Sequence, residues 1–157
     1  MERDGKYCAL TFDAAWGNED TQTLIDILER YNIKATFFEV GFCVEARSKY
    51  SKQCFEEGHA LGCHSYSHEF KDIYASADAL IGEVHQWEDV VEKKLGGVPS
   101  YRLFRFCGGS NSSYIKKAVC TEAKNDLTSL GYYFYDWTCA NNDAWPQGKP
   151  EDQSVEQ

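Results

Sequence analysis

The sequence predicts an α/β fold built on a largely parallel sheet or barrel. Three observations carry this expectation. Short apolar runs alternate with amphipathic helical segments along the chain, joined by short connections, which is the pattern of βα units. No linker and no internal repeat interrupts the alternation, so residues 1–157 read as one domain. The polar residues that stand out chemically fall in the connectors after the strands, and parallel α/β folds gather their ligands at the C-terminal ends of their strands.

The run 7–12, closing at Asp13, reads as a first, buried strand. Asn18 is placed to cap a helix that opens with Glu19 and Asp20, acids suited to the positive end of the helix dipole. Leu24, Ile25, Ile27, Leu28 and Tyr31 form its expected core-facing stripe. Residues 35–40 make the second strand, closed by Gly41, and a weaker helical pattern covers 46–57 before Gly58 stops it. Residues 59–63 make the third strand. Ser76 then caps the clearest helix, with the stripe Leu80, Val84, Trp87, Val91 and Leu95 and a stop at Gly96-Gly97. Residues 101–106 are the fourth strand, Gly108-Gly109-Ser110 a turn, 113–130 a helix before Gly131, and 132–137 the fifth strand. The tail beyond Trp145, with Pro146, Gly148 and Pro150, reads as a loop opening into a further helix.

Bulk properties narrow the function classes. A content of 43% hydrophobic and 26% charged residues over 157 positions is that of a globular domain with a real core. A net charge of −9 argues against a nucleic-acid footprint, which needs a basic face. No stretch approaches the roughly 20 apolar residues of a membrane span. The polar start, Met1-Glu2-Arg3-Asp4-Gly5, lacks the n-region and h-region of a signal peptide, so the residues alone leave localisation open. The seven cysteines are odd in number and include no CxxC pair, which argues against a zinc ribbon or a redox dithiol. Most read as small buried hydrophobes, but Cys63 and Cys107 fall beside the segments that carry the chemistry.

The strongest of those segments is the pentad His64-Ser65-Tyr66-Ser67-His68. Two imidazoles four residues apart, in a Gly/Ser-rich connector after a strand, can reach one transition-metal ion. The same spacing also arises by chance among surface or core histidines. Thr11-Phe12-Asp13 adds a carboxylate at the end of another strand, and Arg105 a cation at the end of a third.

Taken together these segments resemble the NodB-type polysaccharide deacetylases, carbohydrate esterase family four, from residue 7 to about 145. Thr11-Phe12-Asp13 is similar to the family's first motif and Ala35-Thr36-Phe37-Phe38 to its second strand. The pentad matches its H-[ST]-x-x-H motif, Phe104-Arg105-Phe106-Cys107-Gly108-Gly109-Ser110 resembles its third motif, and 131–143 the approach to its fourth. The resemblance implies a distorted (β/α) barrel and hydrolysis of N-acetyl groups from a polysaccharide of peptidoglycan or chitin type, with a divalent metal, zinc above all. It also implies an extracytoplasmic or cell-wall setting. Carried over position by position, His64 and His68 are metal ligands, Asp13 the catalytic base, Arg105 its tuning partner, the Gly108 amide an oxyanion donor, and Asp143 an orienting group. Trp137 and Trp145 are candidates for the pocket that takes the acetyl methyl. Simpler roles stand beside these: Asp13 as a connector cap, Arg105 as a structural ion-pair partner, Asp143 as a turn former, and both tryptophans as core or rim residues.

The chain departs from the family pattern in three places. Ala14 stands where a second Asp usually supplies the third metal ligand. Cys107 stands where the third motif usually has Pro, and Ala144 where Trp is expected after Asp143. The closing Leu-x-His motif, whose His protonates the leaving amine, is not found, and no histidine follows His85. These departures predict reduced turnover and a barrel open at its C-terminal side, with an edge that invites self-association. A catalytically inactive carbohydrate-binding or interaction module on the same fold is the alternative reading. A truncated fragment of an active enzyme is a plainer reading and is favoured over that module, and a domain acting on a small cyclic or linear amide is a further one.

Overall fold

The computed structural model describes residues 7–14 and 19–139. Asn18, Asp143 and Trp145 therefore lie outside the described residues. Five strands run β1 (Thr11–Ala14), β2 (Thr36–Glu39), β3 (Ala60–Cys63), β4 (Arg102–Phe104) and β5 (Tyr132–Phe134). Between them lie α1 (Glu19–Arg30), α2 (Gly41–Glu56), the short α3 (Phe70–Ile73), α4 (Ala77–Leu95) and α5 (Lys117–Ser129). The strands are all parallel, in the spatial order β1-β2-β3-β4-β5. Such a sheet, wound in chain order, is a partial barrel, and among the described residues β1 and β5 each have one neighbour.

The central strands β2 and β3 are buried on both faces, which is why β2 shows a continuous apolar run rather than alternation. The strand β1 starts only at Thr11, and residues 7–10, expected to begin a buried strand, are exposed. Phe37 points to the helical side, stacked on Phe12 with ring centroids 5.3 Å apart and packed with Ile25, Leu28 and Cys54. Phe38 points to the inner side. A Cβ on Gly62 of the neighbouring β3 would sit 2.7 Å from the Phe38 ring. Gly62 is thus a close-packing glycine, and the ring it admits becomes a floor for the site.

The helix α4 follows its predicted pattern. The Ser76 hydroxyl accepts from the Ala79 amide, Gly96 takes the left-handed cap at φ 84°, and Leu80, Val84, Trp87 and Val91 are buried. Each such side chain removed from water stabilises the fold by roughly 1.5–3 kcal/mol. Two expectations need correction. In α1 only part of the stripe faces the core: Ile25 and Leu28 are buried, whereas Ile27 and Tyr31 are 48% and 64% exposed. The second concerns Gly41, which begins α2 rather than merely closing β2, because its missing side chain lets Tyr66 approach; a Cβ there would lie 2.7 Å from the Tyr66 ring. The helix is broken at Arg47 (φ −140°, ψ 44°), which explains why periodicity was visible only in its second half. The strands β4 and β5 are also shorter than the apolar runs that predicted them. Among the described residues no helix is long and apolar enough to cross a membrane.

Candidate active site

The residues singled out by chemistry converge at the C-terminal ends of the strands. Asp13 lies next to last in β1, His64 directly follows β3, Arg105 directly follows β4, and Trp137 lies three residues beyond β5. Thr11 and Asp13, two apart on one strand, share a face. Arg105, 1% exposed, reaches across to both of them: its guanidinium donates to the Asp13 carboxylate and to the Thr11 hydroxyl, each at 2.9 Å. Its Nε donates to the Tyr135 carbonyl at 3.0 Å. The guanidinium carbon lies 4.1 Å from the Phe38 ring centre and 4.9 Å from that of Trp137. A buried cation held by a carboxylate, a hydroxyl, a carbonyl and two aromatic faces has little freedom to move.

The bond to Arg105 occupies Oδ1 of Asp13. Oδ2 faces His64 and lies 3.7 Å from its Nε2. The other imidazole nitrogen of His64, Nδ1, is 2.9 Å from the Arg105 carbonyl. A carbonyl only accepts, so Nδ1 carries the proton and Nε2 keeps its lone pair toward the site. Burial also lowers the His64 pKa, holding the ring neutral, although nearby Asp13 and the Arg105 carbonyl oppose that shift.

The pentad is an irregular loop with two non-glycine residues in the left-handed region, Ser65 at φ 66° and His68 at φ 61°. Its shape is held from both sides. On one side the first amides of α2, Gly41 and Phe42, donate to the carbonyls of Ser65 and Tyr66, each at 3.0 Å, so the loop satisfies donors that a helix N-terminus leaves open. On the other side Glu83 of α4 accepts from the Tyr66 and Ser67 amides at 2.9 and 2.7 Å and from the Ser67 hydroxyl at 3.0 Å. Inside the loop the Ser65 hydroxyl accepts from the His68 amide. The outcome is a pair of imidazoles with ring centres 5.2 Å apart, His64 buried and His68 exposed.

Cys107 lies against this pair. Its thiol is 3.5 Å from the His64 carbonyl and from the Ser65 hydroxyl, and burial pushes its pKa up to about 12. Potential donor atoms of His64, His68 and Cys107 all lie within 4.8 Å of one another. That donor set, two imidazoles and a thiol with the tautomer of one ring already fixed, suits a zinc-like ion. Cys63, by contrast, is fully buried among Phe104, Trp87 and Tyr132 and serves the core.

The turn after β4 forms the rest of the site. Gly108 and Gly109 have φ of 73° and 87°, a conformation other residues rarely adopt. Asp136 clamps the turn by accepting from the Ser110 amide at 2.9 Å and its hydroxyl at 2.5 Å, while Lys124 donates to that hydroxyl at 3.0 Å. Gly108, Gly109, Asn111 and Trp137 help line a cleft of about 260 Å³. Beside it, Phe70 and Tyr114 stack at 4.4 Å and continue the aromatic wall from His68. Sequence reasoning missed Glu83, gave Thr11 no role beyond its place in the first motif, and did not foresee the Asp136–Ser110 clamp. Thr11 was readable as the residue two before Asp13, but Glu83 on the polar side of a helix carried no local signal.

A family model of the polysaccharide deacetylases matches residues 1–129. The chain belongs to that family. Its relatives include a peptidoglycan-N-acetylglucosamine deacetylase of Bacillus cereus, 32% identical over 133 residues, which are 85% of this chain and 57% of that protein. The catalytic domain of a peptidoglycan N-acetylglucosamine deacetylase from Eubacterium rectale superposes with a TM-score of 0.82 at 32% identity, covering 92% of this chain and 66% of that one. The chain thus spans between half and two thirds of these deacetylases. A CE4 family pseudoenzyme from Bacillus anthracis shares the fold as well, with a TM-score of 0.73 at 24% identity over 92% of this chain and 47% of that one. A mutant of a CE4 family pseudoenzyme with restored enzymatic activity superposes with a TM-score of 0.75 at 25% identity, over 92% of this chain and 49% of that one.

Proposed function

We propose that this polysaccharide deacetylase family member removes N-acetyl groups from N-acetylglucosamine-containing polysaccharide, of peptidoglycan or chitin type, outside the cytoplasm. The observation that carries the reading is the division of labour at Asp13: one oxygen is held by buried Arg105 while the other lies 3.7 Å from the open nitrogen of His64. His64 and His68 would hold a divalent ion, zinc by the chemistry of the donors. When bound, such an ion polarises the acetamide carbonyl and acidifies a water.

The chain's own residues do the rest. Asp13 Oδ2 takes the proton of the attacking water as general base. Arg105 keeps Asp13 oriented and supplies the charge-assisted bond that fixes which oxygen stays free. The Gly108 amide, in the turn clamped by Asp136, is the donor proposed for the oxygen that gains charge as the carbonyl is attacked. Trp137 forms part of the wall that receives the acetyl methyl. Asp143 and Trp145 keep their proposed roles as orienting group and pocket wall. Ala14 brings no carboxylate to the metal, so turnover is expected to be reduced. The same substitution favours a second reading, an inactive carbohydrate-binding module.

Acetate release from N-acetylglucosamine oligomers, measured with zinc on wild type and Asp13→Asn, tests the proposal. Slow release that the substitution and chelation both abolish supports it. Oligomer binding without release supports the inactive module. Release indifferent to Asp13→Asn overturns the assignment of the base.

A further inference from the structure

We infer that Cys107 is the third protein ligand of the metal, taking over at the turn after β4 the place that Ala14 leaves without a donor at the end of β1. The inference rests on the proposed metal site and adds a ligand to it. The Cys107 sulfur lies against the very loop that carries the histidines, 3.5 Å from the His64 carbonyl and from the Ser65 hydroxyl. Its backbone is anchored, because Tyr74 donates its hydroxyl to the Cys107 carbonyl at 2.7 Å and the residue is 1% exposed.

With bonds of about 2.0–2.3 Å, neighbouring donors in a tetrahedral zinc site stand about 3.3–3.8 Å apart. The three candidate donors already lie within 4.8 Å of one another, and a turn of the exposed His68 ring about its side-chain bonds supplies the closing movement of about 1 Å. Asp13, with one oxygen held by Arg105 and the other 3.7 Å from Nε2 of His64, stands beside this cluster in the place of the base. Ligation breaks the S–H bond, leaves its electron pair to form the sulfur–metal bond and releases the proton to solvent, with no change in oxidation state. A soft sulfur ligand also biases the site toward zinc or cobalt over magnesium or calcium.

Cobalt(II) titration of the full chain, followed by absorption, tests this. The expected result is a sulfur-to-cobalt charge-transfer band in the near ultraviolet that saturates at one ion per chain. Cys107→Ser should abolish the band and weaken binding by at least the roughly tenfold that even outer partners of a metal ligand contribute. Exposed Cys8 and Cys139 are replaced by Ser in all proteins tested, so that the band reports buried sulfur. His68→Ala, a change at an exposed position, should lower band and binding together, which keeps the inference testable if Cys107→Ser does not fold. Cobalt binding that depends on His68 but gives no charge-transfer band overturns the role of Cys107 and leaves the histidine pair standing. Binding indifferent to His68→Ala overturns both.

Discussion

Glu83 holds Ser67 twice, accepting from its backbone amide at 2.7 Å and from its hydroxyl at 3.0 Å, and with the Tyr66 amide it makes three bonds to the loop between the two histidines. A carboxylate in the middle of α4 thereby sets the spacing of His64 and His68 without touching either ring. Replacing it with Ala leaves two amides and a hydroxyl in a half-buried place without their acceptor, at a loss of about 1–3 kcal/mol. Glu83→Ala should therefore lower stability by that amount in denaturant titration. It should also weaken zinc binding by about 10- to 100-fold, the range seen when groups that orient a metal ligand are removed. Calorimetry on the folded variant separates the two effects; unchanged zinc affinity would show that the loop keeps its shape alone.

The Arg105–Asp13 pair is asymmetric. Arg105 is buried and Asp13 retains 28% side-chain exposure. Removing a partner from a buried ion pair typically destabilises by about 3–5 kcal/mol, and solvent at Asp13 moves the expectation to the low end of that range. Arg105→Met also frees Oδ1 of Asp13 and removes the cation beneath Trp137. Chemical denaturation should show the stability loss, and acetate release, where present, should fall with it. A variant as stable as wild type would mean the guanidinium is only space-filling.

His59 makes the fold sensitive to acid. It is 2% exposed, its Nδ1 accepts from the Ala35 amide, and burial lowers its pKa, reinforced by Lys34 and opposed by Glu57. An imidazole with a folded pKa below its unfolded value of about 6.5 binds more protons when unfolded. Its contribution to stability is thus present above that value and is lost as the pH falls through the lowered folded value, at a slope of at most about 1.4 kcal/mol per pH unit. Denaturant midpoints should fall from pH 7.5 to 5. His59→Gln should flatten that dependence only in part, since His64 is shifted the same way. Identical slopes in the two proteins would remove His59 from the account.

How far the sequence disclosed this arrangement depended on how local each signal was. The helix α4 was legible end to end because Ser76, the stripe through Val91 and Gly96 all encode it within one segment. Asp13, His64, His68 and Arg105 were legible through residue type and position after strands, and the structure brings them together. Glu83 was hidden because its partners come from 16 and 17 positions upstream, a distance at which an exposed-face acid on a helix has no pattern. Gly41 was misjudged as a stop because its purpose, contact with Tyr66, lies in another connector. The outward turn of Ile27 and Tyr31 was missed because an apolar stripe wider than the available core still reads as a core face.

Gly62 tests whether the floor of the site matters. A Cβ at this position would meet the Phe38 ring at 2.7 and 2.8 Å and the Leu103 Cβ at 3.0 Å. The ring cannot retreat freely, since it is itself 1% exposed and lies under the Arg105 guanidinium. Overpacking of this kind costs about 1–3 kcal/mol. Gly62→Ala should lose that much stability, and pairing it with Phe38→Leu should recover part of it. Additive losses in the double variant would show that the two positions do not share the strain.

Ala14 decides how the proposed metal site can be strengthened. Its methyl group packs in the helix-side cluster with Ile25, Leu28 and Val40, at 7% exposure. A carboxylate introduced there begins against apolar neighbours, so Ala14→Asp should destabilise the metal-free protein by about 1–3 kcal/mol. Position 14 ends β1 immediately after Asp13, at the rim where the histidines gather, and a zinc ion gives the new carboxylate a reason to turn toward them. Where zinc binds the folded chain in preference to the unfolded one, a gain in affinity appears as added stability in its presence. The expected result is a variant less stable than wild type without zinc that regains most of the difference with it, and whose zinc affinity exceeds that of wild type by calorimetry. Denaturant titrations of both proteins with zinc and with chelator supply the four values needed. An equal loss under both conditions would mean that the carboxylate stays against the helices and never reaches the ion.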